Sequence, residues 1–428
     1  MATVKAFSAL RFTAKSGDIS KNVCPPYDII STAQREEYIK ESENNIIRLE
    51  LPMGEDAYSK AGELYRDMLE KGILANDKSE GIYVYEEEFT AYGQRKKIKG
   101  IFVRVKLCEF SENVVLPHEE TLSKAKTDRF NLMSATNTNF SPIYSMYTDA
   151  QKVISGRVDS LTQGKADIEF TCADGVTQRL WKIEKGADTD FIEKAFEDKQ
   201  LYIADGHHRY ETALNYKKKL IEDGIITDET HAGNYVMMML IDMENEGLVV
   251  FPTHRMLKDL KNFDEEDALA KISEFFEVSE IERKDIESSL CKNSGNKAYV
   301  FCTKSGKYYL LTLKNDAACK KAIDALNPGK SEAYKGLDVT VLHSLILEKL
   351  FGIDKENMAN QINLKYTREL DEACDCIKDD AFNCSFILNS TKVSEIRDVA
   401  LAGEKMPQKS TYFYPKLITG LVMNDLLN

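Results

Sequence analysis

A chain of 428 residues has room for two or three domains and an ample core, so size alone requires no metal or disulfide staple. Its 43% hydrophobic and 30% charged content is that of an ordinary globular protein, and no run approaches the ~18 apolar residues of a membrane span. A net charge of −13 argues against an extended nucleic-acid surface, whose affinity comes mainly from neutralising phosphates.

In chain order, Val23-Cys-Pro-Pro-Tyr-Asp-Ile-Ile30 is extended by its two prolines. Ser31 with Gln34 then forms a capping box for a helix to Lys40. Residues 46–51 predict a strand ending at Pro52, and Tyr58 to Gly72 an amphipathic helix with Ala61, Leu64, Tyr65, Met68 and Leu69 on one face. Strands at 81–86 and 99–106 form a hairpin around Tyr92-Gly93. A helix follows from Leu122 to Ala135, with Leu122, Ala125, Phe130 and Met133 available to a core, and then a strand from Phe140 to Tyr147. Residues 150–198 interrupt the pattern as a strand–helix insertion.

Leu201-Tyr-Ile-Ala-Asp205 is an apolar strand that turns at Gly206 into a helix carrying Tyr210, Ala213, Leu214 and Ile221 on one face. Buried strands follow at 234–241 and 247–252, and the methionines Met237, Met238, Met239 and Met243 are core rather than a cofactor box. From Phe263 the pattern is helix, strand pair around Ser305-Gly306-Lys307, a helix from Val339 to Phe351, a short strand at 386–388 and a helix at 393–402. The expected organisation is an α/β protein with an N-terminal α+β region at 1–110, a core at 111–260 and a C-terminal α+β domain at 261–428.

The N-terminal residues carry no signal-peptide apolar core, and the nine cysteines are scattered. Cys374 and Cys376 have no second pair to complete a zinc site. These features predict reduced thiols in a cytoplasmic protein with no membrane partner.

A strand feeding a glycine turn into a helix N-terminus is a place to hold an anion, because the first N–H groups of a helix have no internal partners. Gly206 lets a phosphate approach the backbone, and His208 and Arg209 add donors at the same mouth. The plainer alternative is Asp205 as an N-cap beside a solvated turn. Arg255, directly after a strand, could hold a substrate carboxylate, and Lys409 beside two hydroxyls could meet an anion. Lys124 and Arg129 are expected in solvent or at a phosphate, and Tyr27-Asp28 is a candidate pocket lining. A metal site on His118, His207 and His208 is disfavoured, since the stretch from His118 lacks a zincin's second histidine.

Asp205-Gly-His-His-Arg209 followed by a helical alanine resembles the phosphate-binding signature of the ParB/sulfiredoxin-like superfamily, which includes the free-serine kinases. From Cys24-Pro-Pro-Tyr-Asp28 to Lys409-Ser-Thr-Tyr-Phe-Tyr-Pro-Lys416 the chain is similar to a bacterial and archaeal family of unknown function, often labelled ParB-like. The resemblance implies a ParB/sulfiredoxin-like core with flanking α+β domains. Pro117-His118-Glu119-Glu120 resembles the kinase stretch whose glutamate acts as base toward a substrate hydroxyl, which implies that role for Glu119, or for Glu120 at the substrate. Asp205 and His207 complete the implied catalytic set, with Gly206, His208 and Arg209 on the nucleotide phosphates. The sulfiredoxin role is disfavoured by His207 standing where that family has its catalytic cysteine.

The function expected on these grounds is phosphoryl transfer from ATP or ADP, with Mg²⁺ near Asp205, to a small hydroxylated metabolite such as free serine. The alternatives are a ParB-like nucleotide-binding regulator or DNA-partitioning factor, and a non-catalytic metabolite sensor. No basic helix supports a nucleic-acid partner.

Overall fold

The computed structural model describes residues 1–121 and 123–427, with Ser123 and Lys124 by backbone alone. The expectations for Leu122 in the core and Lys124 at a phosphate lie outside the described residues and side chains. The fold is mixed α/β, with two units: Met1–Val249 with Pro415–Asn428, and Val250–Tyr414. Among the described residues no helix is long and apolar enough to cross a membrane, and all nine cysteines are free thiols.

The first unit opens with β1 (Val4–Lys5), β2 (Leu10–Phe12), α1 (Thr32–Glu41), α2 (Ile47–Glu50), α3 (Ala57–Glu70), β3 (Leu74–Asn76), β4 (Gly81–Ala91) and β5 (Gln94–Lys106). It continues through β6 (Val115–Leu116), α4 (Ser123–Thr136), β7 (Thr138–Asn139), β8 (Ile143–Tyr147), α5 (Val153–Leu161), β9 (Ile168–Thr171) and β10 (Thr177–Glu184). Then come α6 (Ala187–Ala195), β11 (Leu201–Asp205), α7 (His207–Glu222) and β12 (Tyr235–Asp242). One nine-stranded mixed sheet has the order β6-β11-β8-β12-β5-β4-β10-β9, with β1 beside β5. β11 runs parallel to β6 and antiparallel to β8, so the site strand is flanked on both sides.

Local signals account for several of these elements. The Ser31–Gln34 capping box forms in both directions. Tyr92 and Gly93 both have positive φ, 51° and 68°, which suits a tight turn matched to strand twist between β4 and β5. Met237, Met238 and Met239 are fully buried in β12.

Other expectations are corrected. Residues 46–51 form the helical turn α2 rather than a strand: Asn45 Oδ1 accepts from the Ile47 N–H at 2.9 Å, and Ile46, Ile47 and Leu49 are fully buried. A short apolar run does not by itself distinguish the two states. The strand expected from Phe140 begins only at Ile143, as β8, after Pro142, which has no N–H for a ladder. In α7 the buried face runs Tyr210, Ala213, Leu214, Tyr216 and Leu220, while Ile221 is 50% exposed. Residues 150–198 extend the main sheet. β10 pairs with β4 from Thr177↔Glu88 to Glu184↔Gly81, and the Asp149 carboxylate caps the first N–H groups of α5.

The final segment belongs to the first unit. Asn424–Asp425 pairs with β7, and Thr419 N–H donates to the Cys24 carbonyl at 2.8 Å. The second unit carries a six-stranded antiparallel sheet in the order 276–281, 308–313, 298–303, 382–388, 254–258, 364–367. The helix expected from Val339 to Phe351 is an α-turn, Asp338–Val341, followed by a π-wound stretch, Leu342–Leu350.

Gly100 in β5 tests the packing of the main sheet. A Cβ there would lie 2.5 Å from the Leu240 carbonyl oxygen and 2.7 Å from Met239 Cε. Gly100→Ala should lower stability by about 1–3 kcal/mol in thermal or urea melts. Gly164→Ala, with nothing within 4 Å of its Cβ, serves as the control expected to melt like the wild type.

Candidate functional site

β11 ends on Asp205 and turns through Gly206, whose φ of +97° is a left-handed conformation that glycine adopts without strain. A Cβ on Gly206 would also sit 2.9 Å from Arg209 Nε. Space and backbone both require glycine here. The chain then enters α7 at His207, so a sixteen-residue helix starts at this turn with a glycine as its N-cap. Its N-terminal end carries a partial positive charge and favours anions.

The Asp205 carboxylate, 18% exposed, is held by two cations. Lys416 Nζ donates to one oxygen and Arg209 Nη2 to the other, and Arg209 Nη1 donates to the Pro142 carbonyl. Burial works to raise the Asp205 pKa, but Lys416 and Arg209 outweigh it and hold the carboxyl well below the usual carboxylate range. Arg209 is therefore fixed over the turn rather than free in solvent.

Two histidines pack behind the turn. His118 Nδ1 donates to the Ile203 carbonyl at 2.6 Å, and the His118 backbone N–H donates to His207 Nε2 at 3.1 Å. The rings meet edge to face with centroids 4.7 Å apart. Because His207 Nε2 accepts, the proton of its neutral ring is on Nδ1. That nitrogen lies 3.9 Å from Glu119 Oε2. His207 is 3% exposed and Glu119 39%, so the pair has one buried member and one that solvent or a substrate can reach.

Further out, burial lowers the His208 pKa, with Glu211 and Asp28 opposing it. Glu211 accepts from Thr121 Oγ1 and Lys126 Nζ, each at 2.7 Å. Arg129, expected in solvent, is 5% exposed. Its Nη1 donates to the Glu50 carbonyl at 2.8 Å and its guanidinium lies 3.9 Å over the Tyr27 ring. The pairing with buried Glu50 is what makes burial of that arginine tolerable.

The structure thus brings Glu119, Asp205, Gly206, His207, His208 and Arg209 together at the β11–α7 turn, with exposed Glu120 beside Glu119. Arg255 and Lys409 lie in the second unit. There Arg255 is fully buried and donates to the Thr253 and Lys409 carbonyls and to His343 Nε2. Lys409 supplies a carbonyl to this cluster while its side chain is exposed. The residue that sequence reasoning missed is Lys416, which closes a contact across 211 positions. No local pattern marks it.

Asp205 does not suit a metal here, because both of its oxygens are taken by cations. Among the described residues no group of three His, Cys, Asp or Glu side chains could hold a metal ion. The side chains at this turn therefore offer no cage for Mg²⁺.

Burial pushes the His118 pKa down to about 4, against the bond to Ile203. The unfolded chain takes this proton near pH 6.5, and the folded chain refuses it until about 4. Unfolded molecules therefore bind more protons across that window, and stability falls as pH drops from 6.5 to 4. The share of His118 is at most about 3.5 kcal/mol, at ~1.4 kcal/mol per pKa unit over the window from 6.5 to about 4. His118→Gln should flatten the acid limb of a Tm-against-pH curve; an unchanged slope would contradict the assignment.

No curated protein matches the chain. Similar solved structures include a free serine kinase mutant in complex with AMP, at 13% identity and TM-score 0.35, covering 73% of this chain and 87% of that one. A second free serine kinase mutant, in complex with ADP, has 14% identity and TM-score 0.34, with 73% and 87% covered. A conserved hypothetical protein from Pyrococcus furiosus has 15% identity and TM-score 0.35, with 76% and 95% covered. Likeness at this level says nothing of what the chain binds. A family model does match directly, over residues 4–340, and by it the chain belongs to the family described as Protein of unknown function (DUF1015).

Proposed function

We propose that the protein is a nucleotide-dependent phosphotransferase acting on the hydroxyl of a small metabolite, with free L-serine as the leading acceptor. One observation carries the reading. A half-exposed carboxylate, Glu119, stands 3.9 Å from His207 Nδ1, at the first residue of the helix whose glycine-capped end suits an anion. Phosphoryl transfer to an alcohol needs cradled phosphates, compensated charge and an oriented acceptor. The β11–α7 turn, read as the centre of a ParB/sulfiredoxin-like core, offers candidates for each part.

In this reading the backbone from Gly206 to Arg209 cradles the phosphates of ATP or ADP. Lys416 and Arg209, already gathered on Asp205, supply positive charge beside them. Asp205 organises these cations rather than ligating a metal, and any Mg²⁺ arrives on the nucleotide. Glu119 accepts the acceptor's hydroxyl proton, and His207 Nδ1 lies 3.9 Å from the carboxylate, beside it. A base of this kind typically contributes ~10²–10⁴ in rate.

Incubating the full chain with ATP or ADP and L-serine, and assaying for O-phosphoserine, tests the activity; other small alcohols test the acceptor. Glu119→Gln keeps shape and hydrogen bonding but cannot take the proton. Its turnover should fall by ~10²-fold or more with nucleotide affinity nearly unchanged. Glu120→Gln should act like the wild type. Equal turnover in the Glu119 variant would remove that residue from the chemistry.

A further inference from the structure

The stretch from Pro117 to Thr121 belongs to no helix or strand, yet it carries Glu119. Such a loop keeps a side chain in place only where other elements hold the loop. Helix α7 does so at two points. His207 and Glu211 are four residues apart on α7, so they lie one above the other on the same face. His207 Nε2 accepts from the His118 backbone N–H at 3.1 Å, on one side of Glu119. Glu211 Oε2 accepts from Thr121 Oγ1 at 2.7 Å, on the other.

The second contact is the stronger kind, because its acceptor is a carboxylate and hydrogen bonds to ionised groups are about twice as strong as neutral ones. Lys126 Nζ donates to the same oxygen at 2.7 Å, which fixes the Glu211 side chain, 19% exposed, against the start of α4. The loop, α4 and α7 therefore meet on one oxygen. The Lys126 bond alone would tie α4 to α7. What the Thr121 hydroxyl ties down is the loop.

We propose that Glu211 is a positioning residue: through Thr121 it closes the second half of a clamp, with His207 as the first half, that aims Glu119 at the acceptor hydroxyl. The proposal deepens the phosphotransferase reading, which makes Glu119 the base. With both ends of a four-residue stretch tied to one helix face, the Glu119 backbone is kept from swinging away from the mouth of α7. Opening the Thr121 end leaves the stretch tied to α7 through His118.

Amide hydrogen exchange on the full chain, read by mass spectrometry, tests the clamp without nucleotide. Thr121→Val replaces the hydroxyl with a methyl group of similar size and leaves the Lys126–Glu211 pair. Peptides covering His118 to Thr121 should exchange several-fold faster than in the wild type, and those from the later turns of α7 at the same rate. Thr121→Ser, which keeps the hydroxyl, should match the wild type. Glu211→Ala should open the same peptides, and adding Thr121→Val to it should change nothing more. In turnover, Thr121→Val should cost ~10- to 10²-fold, the scale of a misplaced catalytic group, with nucleotide affinity unchanged. In the Glu119→Gln background it should cost nothing further, because the base it aims is already gone. A merely structural role would lower both backgrounds alike. Wild-type exchange or wild-type turnover in Thr121→Val, or an equal loss of turnover in both Glu119 backgrounds, would overturn the proposal. If Glu211→Ala does not fold, the Thr121 variants decide. Absence of turnover in the wild type would end the phosphotransferase reading instead, and the exchange result would then judge the clamp alone.

Discussion

The β11–α7 end of the first unit depends on one buried ionic contact, the Asp205 carboxylate between Lys416 and Arg209. Removing a carboxylate from water costs several kcal/mol, and only close opposite charge with good hydrogen bonding offsets it. Here burial and two cations act on Asp205 in opposite senses, and the cations win. The contact joins three pieces of chain that are remote in sequence. Lys416 comes from the C-terminal return, Arg209 from the first turn of α7, and the Pro142 carbonyl, bonded to the same guanidinium, precedes β8. Truncating either cation would leave a buried charge under-compensated, a change typically worth ~3–5 kcal/mol.

Around that contact, each neighbour has a physical task. Gly206 provides the only backbone that can turn there without meeting Arg209. His118 is kept neutral by burial, so its backbone N–H and ring can orient His207 without adding charge. His207 in turn presents Nδ1 toward Glu119. Helix dipole, fixed cations and a reachable carboxylate are the ingredients from which transfer of a charged group to a hydroxyl is assembled. None of this uses the second unit, whose fully buried Arg255 is spent on carbonyls and a histidine.

The parts of this arrangement that sequence could reveal are those written locally. The strand–glycine–helix unit at 201–222 and the Ser31 capping box follow from residues within a few positions of one another. Ile46–Leu51 misled because six apolar-rich residues fit a strand as well as a turn of helix, and Asn45 decided between them through one side-chain bond. The strands β9 and β10 read as an interruption of the pattern because the main-sheet partner of β10, β4, lies some ninety positions earlier. Arg129 looked solvated because its partner, Glu50, belongs to a distant turn. Lys416 was invisible for the same reason in a stronger form, with 211 positions to its partner. Long-range charge pairing leaves no periodicity to read.

The central claim is that the N-terminal mouth of α7 holds nucleotide phosphates. Crystals of the full chain soaked with ADP or ATP in the presence of Mg²⁺ test it most directly. The account predicts phosphate density within hydrogen-bonding distance of the backbone N–H groups from His207 to Arg209, with Lys416 turned toward it. Nucleotide bound elsewhere, or no nucleotide density at millimolar concentration with this mouth open to solvent, would contradict it.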